Sequence, residues 1–306
     1  MKTLLLLCII IIFAITHSSG QRANKKNKAD SVLKFSPLTP RGYLNLTAND
    51  FKEQSIAPFK MKKKQFMHFG IFCAATAVLV ISDPNVDAYA RKLDNYKLVR
   101  KVSPFITNFG SNYGIYTVGA LELTGLIFKD KKLVTSGILA SQAMITSGIY
   151  TWIGKIGFSR SRPSVSYGTR YYCKGGPWHG APDYFDSWSD TKKVPGAGYD
   201  AMPSGHTSMA FSIATVYAMM YKDHLAVPVF SYTMASLIGL SRMTEHAHWG
   251  SDVFVGAALG YLCGRQVVNN YEKLSKIYTK RHKHKDISVS LNYSENKYLA
   301  GFNYKF

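Results

Sequence analysis

The sequence is poor in cysteine, and this shortage narrows the kinds of protein that it can encode. It has four cysteines in 306 residues, and Cys8 lies in the leading apolar run. The other three, Cys73, Cys173 and Cys263, are odd in number and widely spaced, which argues against a disulfide framework. Cys73 and Cys263 lie in apolar segments, where we expect small buried hydrophobic residues. A bond between them would require those helices to touch.

Acidic residues are also scarce, since 18 Asp and Glu stand against 38 Lys and Arg, a formal charge of +20. The excess is concentrated near the two ends. Residues 22–64 hold eleven basic and three acidic residues, and residues 265–285 hold seven and one. Such segments are attracted to anionic membrane surfaces, although solvated tails would have the same composition.

The leading segment lacks a clean Ala-x-Ala cleavage signal, yet its pattern is that of a secretory signal peptide. Lys2 precedes an apolar run from Leu4 to Ile15, and small polar residues follow up to Gly20. We predict a signal peptide over residues 1–20 and an exported protein, in the periplasm or on the periplasmic face of a bacterial membrane. An exported protein rarely meets nucleic acid, so we exclude that partner for the basic ends.

Between these ends the sequence favours an all-α fold with one functional core. Residues 21–64 are polar and basic and contain three prolines, which is typical of an extension or linker. Residues 65–285 form the predicted main domain. Its six apolar helical segments are 65–82, 111–128, 133–153, 207–221, 225–240 and 252–264.

Residues 286–306 have the period of β-strands instead. Apolar side chains alternate with polar ones from Ile287 to Tyr293, a turn follows, and alternation resumes from Tyr298 to Phe306. This predicts a short β-hairpin tail. A plain edge hairpin is one interpretation, and docking to an outer-membrane partner is the other, because the last strand resembles the final strand of outer-membrane barrels. Two strands cannot close a barrel.

Three short motifs carry the chemistry: Lys155 with Arg162-Pro163, then Pro203-Ser204-Gly205-His206, then Ser241-Arg242 with His248 and Asp252. A guanidinium fork can bind two phosphate oxygens and stays charged, and a lysine adds a point charge. The Ser204 hydroxyl can donate to an oxygen, and Gly205 lets the backbone approach closely. The second motif is expected to open a helix, whose N–H groups would face the phosphate.

The two motif histidines allow a division of labour in phosphate-ester hydrolysis. One attacks phosphorus as a neutral imidazole, and the other protonates the leaving oxygen. Asp252 follows His248 by four residues, so on a helix its carboxylate could reach and orient the imidazole. His246 suggests a His-x-His metal pair. We predict no metal, because no second cluster of Cys, His or Asp completes such a site.

The motif set resembles the type 2 phosphatidic acid phosphatase (PAP2) superfamily over roughly residues 113–266. This superfamily includes bacterial class A acid phosphatases, membrane lipid phosphatases and vanadium haloperoxidases. The resemblance implies a six-helix core bundle with the motifs at one end, a phosphohistidine intermediate and no divalent metal. It assigns His248 as the nucleophile, Asp252 as its partner and His206 as the general acid. The phosphate-binding residues that it assigns are Lys155, Arg162, Ser204, Gly205 and Arg242.

The loop 164–203 lies between the first two motifs and is expected to cover the site. His179 could line the substrate mouth or be solvated. Tyr171, Tyr172 and Trp178 could line a groove for acyl chains or pack locally.

Two cellular arrangements stay open. Several apolar segments are shorter than the roughly 20 residues that a spanning helix needs, which favours an exported globular enzyme with buried core helices. However, Lys60 to Lys64 followed by the apolar run to Ser82 resembles a cytoplasmic anchor and a first span. That arrangement requires the leading segment not to act as a signal, since three spans after a cleaved signal would put the site in the cytoplasm.

The predicted activity is that of a phosphatase for phosphate monoesters or lipid phosphates, working without a cofactor. Vanadate mimics phosphate, so it would inhibit this enzyme, or it would be the cofactor in the alternative of a vanadium-dependent haloperoxidase. An integral-membrane lipid (di)phosphate phosphatase and a non-catalytic envelope protein are further alternatives. The sequence leaves the substrate and the oligomeric state open.

Overall fold

The computed structural model describes residues 40–164, 178, 184, 199–282, 286–294 and 297–305. Its helices are α1 (Pro40–Ile56), α2 (Lys63–Asp94), α3 (Lys97–Thr107), α4 (Asn112–Ile127), α5 (Lys131–Phe158), α6 (Gly205–Met220), α7 (Ala226–Thr244) and α8 (Gly250–His282). Two 3-10 turns, Ala57–Lys60 and Asn108–Gly110, join α1 to α2 and α3 to α4. The predicted signal peptide, Cys173, Tyr171, Tyr172 and His179 lie outside the described residues.

The chain forms two compact units, residues 37–271 and a second unit of residues 1–36 with 272–306. In the second unit β1 (Asp286–Ser294) and β2 (Lys297–Lys305) pair antiparallel. Asp286 lies opposite Lys305, and Ser294 lies opposite Lys297. The docking role suggested for this segment stays a prediction.

The first unit, called the helical unit below, is built from packed helices, and the all-α prediction for this part of the chain is confirmed. Each of the six apolar segments coincides with a helix, and none extends more than one residue beyond either end of it. Helix α5 packs against α4 and α6, and α6 packs against α7. Side chains that are wholly buried between these helices are Leu139, Ala140, Ala143, Val216, Val267 and Val268.

Glycines let α8 lie with its backbone against α6. Gly256, Gly260 and Gly264 recur every four residues, so they share one face of α8. A Cβ added at Gly256 would lie 2.6 Å from the Ser204 carbonyl oxygen, so only glycine fits this approach. The contact brings the first turn of α8 to the start of α6, where the Ser204 N–H donates to the Asp252 carbonyl oxygen at 3.0 Å.

Helix α1 corrects the expectation of a linker over this part of the chain. Its Leu46 is 3 % exposed and its Asp50 is fully buried. Asn270 of α8 donates to the Asp50 carboxylate at 2.6 Å. Because these side chains pack against the helical unit, residues 40–56 are ordered as a helix.

Helix α2 corrects the expectation that the apolar segments are buried core helices. Among the described residues it is the one helix long and apolar enough to cross a membrane, and none of its apolar window is buried. Cys73, on this helix, is an exposed free thiol and not the buried residue that we expected, whereas Cys263 is buried as expected. Other helices also expose large apolar side chains, among them Ile115, Leu123, Ile127, Ile145, Trp152, Leu225, Val229 and Leu240.

Candidate active site

The three motifs lie at helix ends that meet at one end of the helical unit, called the site end below. Lys155 is in the last turn of α5, and Arg242 is in the last turn of α7. Ser204 occupies the N-cap position of α6, so His206 lies in its first turn, as the sequence analysis expected. His248 precedes α8 and Asp252 lies in its first turn. The charges of Lys155, Arg162 and Arg242 act on both histidines, which places all five groups in one cluster.

A carboxylate that the sequence analysis did not identify lies against two of these cations. Arg162 donates to Asp200 through Nε and Nη2, at 2.8 Å each. The Lys155 Nζ donates to the same carboxylate at 3.2 Å. Burial raises the pKa of Asp200, but the hydrogen bonds from Arg162 and the Lys155 charge outweigh it and lower the pKa to about 2. Asp200 therefore stays ionised and occupies the groups that would bind phosphate oxygens.

His248 is 3 % exposed and is held as a neutral imidazole. Burial, followed by the charges of Arg162, Lys155 and Arg242, lowers its pKa well below 6.5. Its Nδ1 lies 2.7 Å from the Ala201 carbonyl oxygen, which can only accept, so Nδ1 carries the proton. The lone pair is then on Nε2, as a nucleophile requires.

The expected contact between Asp252 and His248 is corrected by this geometry. The carboxylate lies 3.9 Å from Nδ1, beyond hydrogen-bond distance. One of its oxygens accepts from the Trp249 N–H at 2.8 Å and the other accepts from Arg160 Nη1 at 2.6 Å. The physical reason is that α8 begins at Gly250, so His248 is not on the same helix as Asp252.

Arg160 is the central residue beneath the site, and it is only 2 % exposed. Its Nη1 donates to Asp252 and to the Ser251 hydroxyl, each at 2.6 Å, and its Nη2 donates to Asp83 at 2.7 Å. The Trp178 and Trp249 rings lie 4.6 and 5.1 Å from its guanidinium carbon. Trp178 therefore covers Arg160, and an acyl-chain groove at this residue stays a prediction.

Helix α2 contributes two buried carboxylates to the site end. Asp83 accepts from the Ser251 N–H at 3.0 Å and from the Ser251 hydroxyl, so it fixes the start of α8. Asp87 lies 3.0 Å from His246 Nδ1 and accepts from Arg91 Nε at 2.8 Å. His246 is thus engaged away from His248. No group of three or more potential ligands for a metal ion occurs among the described residues.

His206 is the second histidine of the cluster. Burial, with the charges of Arg242, Lys155 and Arg162, lowers its pKa to about 3. The Gly110 backbone lies so close that a Cβ there would come within 2.9 Å of the His206 Cβ. In the free site His206 is therefore neutral at neutral pH. A bound phosphate would bring negative charge beside it and raise its pKa, which a general acid requires.

Four site residues, Asp83, Arg160, Asp200 and Ala201, are not among the fixed positions of the three motifs. Asp83 contacts Ser251 across 168 residues of chain, and Asp200 and Ala201 lie in the long loop. Arg160 stands two residues before Arg162, and an arginine in that position of a motif segment is the one signal that was available.

Comparison with known proteins finds similarity over the part of the chain that holds the motifs. A sequence model of the PAP2 superfamily matches residues 136–276, which contain all three motifs. The resemblance to this superfamily is confirmed. The matched segment covers α5 to α8 and begins after α2, so Asp83 and Asp87 lie outside it.

Named relatives are similar over parts of the chain. A lipid A 1-phosphatase of Porphyromonas gingivalis is 43% identical over 70 residues, 22% of this chain and 16% of the relative. A probable lipid phosphate phosphatase 4 of Arabidopsis thaliana is 33% identical over 130 residues, 38% of this chain and 41% of the relative. The chain thus spans less than half the length of the curated relatives that it matches.

Two solved structures show a partial likeness in shape. Aquifex aeolicus LpxE is 23% identical, with a TM-score of 0.43 over 60% of this chain and 93% of that structure. A transmembrane PAP2 type phosphatidylglycerolphosphate phosphatase from Bacillus subtilis is 21% identical, with a TM-score of 0.48 over 68% and 94%.

Proposed function

We propose that this protein is a membrane-embedded phosphatase for phosphorylated lipids that works through a phosphohistidine intermediate without a metal. The observation that carries the proposal is the cluster of Lys155, Arg162 and Arg242 around two histidines held neutral. His248 in particular has its Nδ1 proton fixed on the Ala201 carbonyl, which leaves Nε2 available to attack.

In the proposed reaction the three cations bind the phosphate oxygens and stabilise the charge that spreads over them. The lone pair of His248 Nε2 forms a bond to phosphorus while the bond from phosphorus to the leaving alcohol oxygen breaks. His206, protonated once phosphate is bound, gives its proton to that oxygen. Water then attacks the phosphohistidine, its proton passes to His206, and the P–N bond breaks to release phosphate.

A lipid substrate is supported by the surface of the helical unit and by the names of the relatives, which are a lipid A 1-phosphatase and lipid phosphate phosphatases. Large apolar side chains are exposed on α2, α4, α5 and α7. Exposed apolar surface on this scale is typical of contact with lipid. We therefore prefer a membrane-embedded enzyme to the exported globular form that the sequence favoured.

We further propose that the site faces the periplasm. Lys60 to Lys64 lie at and just before the start of α2, and Lys129 to Lys132 lie between α4 and the first turn of α5. Both groups are at the end of the helical unit opposite the site end. Basic loops are retained in the cytoplasm, which supports this orientation. A membrane-impermeant thiol reagent tests it: a cysteine at exposed Lys101 should react in intact spheroplasts, and one at exposed Lys131 should react only after lysis.

The catalytic proposal is tested with the purified full chain in detergent and with EDTA present. Phosphate release from a lipid phosphate and from a soluble aryl phosphate is compared for wild type, His248→Ala and His68→Ala, an exposed histidine on α2 as the control. We expect vanadate-sensitive release that is lost only in His248→Ala, with the lipid hydrolysed faster. Equal release by His248→Ala and wild type would contradict the mechanism, and a faster aryl reaction would contradict the substrate class.

A further inference from the structure

Helix α3 carries an exposed apolar stripe. Leu98, Val102 and Phe105 are 73%, 37% and 48% exposed, and their spacing of four and three residues places them on one side of the helix. Phe105 also contacts the Phe109 and Tyr113 rings edge-on, at centroid distances of 5.6 and 6.4 Å. The stripe therefore continues into an aromatic cluster at the start of α4.

Basic side chains lie beside this stripe. Lys97, Arg100 and Lys101 are exposed, and residues 92–101 hold four basic residues against one acidic residue, Asp94. Arg100 donates to the Asp94 carbonyl oxygen, at 3.2 Å from Nη2, which holds it at the end of α2. Lys97 and Lys101 fall on the side of α3 next to the apolar stripe, whereas Arg100 falls near Thr107. A basic border along an apolar stripe is the arrangement of a helix that lies in a membrane interface.

The remaining side of α3 is fixed to α7 by hydrogen bonds. The Ser103 hydroxyl lies 2.7 Å from the Thr244 hydroxyl, and the Thr107 hydroxyl lies 2.7 Å from that of Ser241. Thr107 also donates to the Glu245 carboxylate at 2.6 Å. These contacts leave the apolar stripe outside the protein interior.

We propose that α3 is an interfacial helix that binds the surface of an anionic phospholipid bilayer. Leu98, Val102 and Phe105 enter the boundary between headgroups and acyl chains, and Lys97 and Lys101 contact the headgroup phosphates. The basic residues beside the stripe favour lipid over a protein partner, since their charge is complementary to an anionic leaflet. Helix α3 is itself linked to the site, because Glu245 accepts from both Thr107 and Arg242.

The test follows a fluorescent label on α3 in the full chain. The environment-sensitive dye NBD is attached to Leu98→Cys or to Lys101→Cys, with the four native cysteines replaced by serine or alanine. Each protein is reconstituted into vesicles of phosphatidylcholine alone or of equimolar phosphatidylcholine and phosphatidylglycerol. We expect the label at 98 to be blue-shifted and shielded from aqueous iodide, more so with phosphatidylglycerol, and the label at 101 to be quenched in both.

Reversing the charge of the lysines beside the stripe distinguishes binding of anionic lipid from burial of the label within the protein. Lys97→Glu with Lys101→Glu should weaken the response of the label at 98 to phosphatidylglycerol by about fivefold per residue. Lys52→Glu with Lys131→Glu, two exposed lysines away from α3, should leave the response unchanged. None of these four residues belongs to the site, so hydrolysis of a soluble aryl phosphate in detergent should also be unchanged.

Two results would overturn the proposal. The first is equal iodide quenching of the label at 98 in both kinds of vesicle. The second is a label at 98 that is already shielded in detergent and indifferent to lipid, which would assign the stripe to a protein partner or to a second copy of this chain. Neither readout requires catalysis, so a failure here is distinct from a failure of the proposed function.

Discussion

Both oxygens of the Asp200 carboxylate accept hydrogen bonds from Arg162, at 2.8 Å from Nε and 2.8 Å from Nη2. This fork-to-fork pairing is the geometry in which a guanidinium binds two oxygens of a phosphate. A substrate phosphate must therefore displace Asp200 or share Arg162 and Lys155 with it.

Removing the negative charge of Asp200 should strengthen phosphate binding. In Asp200→Asn the side chain no longer competes as a charged acceptor, so we expect the KM for a phosphate ester and the inhibition constant of vanadate to fall by about tenfold. Steady-state kinetics measure both constants. Asp223→Asn, an exposed aspartate between α6 and α7, is the matched control. A rise in KM would instead mean that Asp200 is needed to hold Arg162 in position.

Replacing Asp83 should impair both stability and turnover. Asp83→Asn leaves the Arg160 charge with one carboxylate fewer in a buried position, which costs about 3–5 kcal/mol of unfolding free energy. Because Asp83 orients Ser251 at the start of α8 and does not touch substrate, we expect kcat to fall more than KM changes. Thermal unfolding and kinetics in detergent check this, with Asp94→Asn on the same helix as the control. Asp83→Glu should not restore activity, because the longer side chain cannot make the same bonds.

A glycine pair tests the packing of α8 on α6. Gly256→Ala would push a methyl group to within 2.6 Å of the Ser204 carbonyl oxygen, so we expect a loss of about 1–3 kcal/mol and reduced phosphate binding. Gly148 of α5 has nothing within 4 Å of an added Cβ. Gly148→Ala should therefore be neutral or raise stability by up to about 1 kcal/mol. Similar melting temperatures for the two variants would contradict the close approach.

The two buried histidines should lower the stability as the pH drops below 6.5, because the pKa values of His206 and His248 are lower in the folded protein. The unfolded chain then binds protons more readily, so each pH unit below this value costs up to about 1.4 kcal/mol per histidine. Asp252 and Asp50 act in the opposite direction, since burial raises their pKa values to about 6 and about 7 and protonation favours their folded states.

Thermal unfolding between pH 6.5 and about pH 4 measures the histidine contribution. The wild type should lose more stability per pH unit than His206→Gln, because one of the two histidine contributions is gone in the variant. His68→Gln, at an exposed position, should keep the wild-type slope. Identical slopes for His206→Gln and wild type would mean that His206 is protonated in the folded protein.

The sequence predicted the parts of the site that lie in local motifs. Lys155, His206 and Arg242 come together because each stands at the end of an apolar segment, and such ends meet when helices pack antiparallel. The relation of Asp252 to His248 was predicted wrongly because the four-residue spacing has meaning only within a helix, and α8 starts between them. Asp83 and Asp200 could not be predicted, since their partners are set by packing between distant segments.

The amphipathic nature of α3 was also missed. Long apolar runs predicted the other helices of this unit, and Lys97–Thr107 has only short ones, interrupted by Arg100, Lys101 and Pro104. The exposed apolar side of α3 can be recognised only from the structure, in which Ser103 and Thr107 on another side are bonded to α7.

The position of Asp83 on α2 limits how far the chain can be truncated from its N-terminus. A fragment that starts at residue 136, where the superfamily match begins, keeps every motif residue and the whole of the matched segment. It would nevertheless leave Arg160 with one of its two carboxylates and Ser251 without its acceptor. The smallest active piece of this protein therefore has to include helix α2.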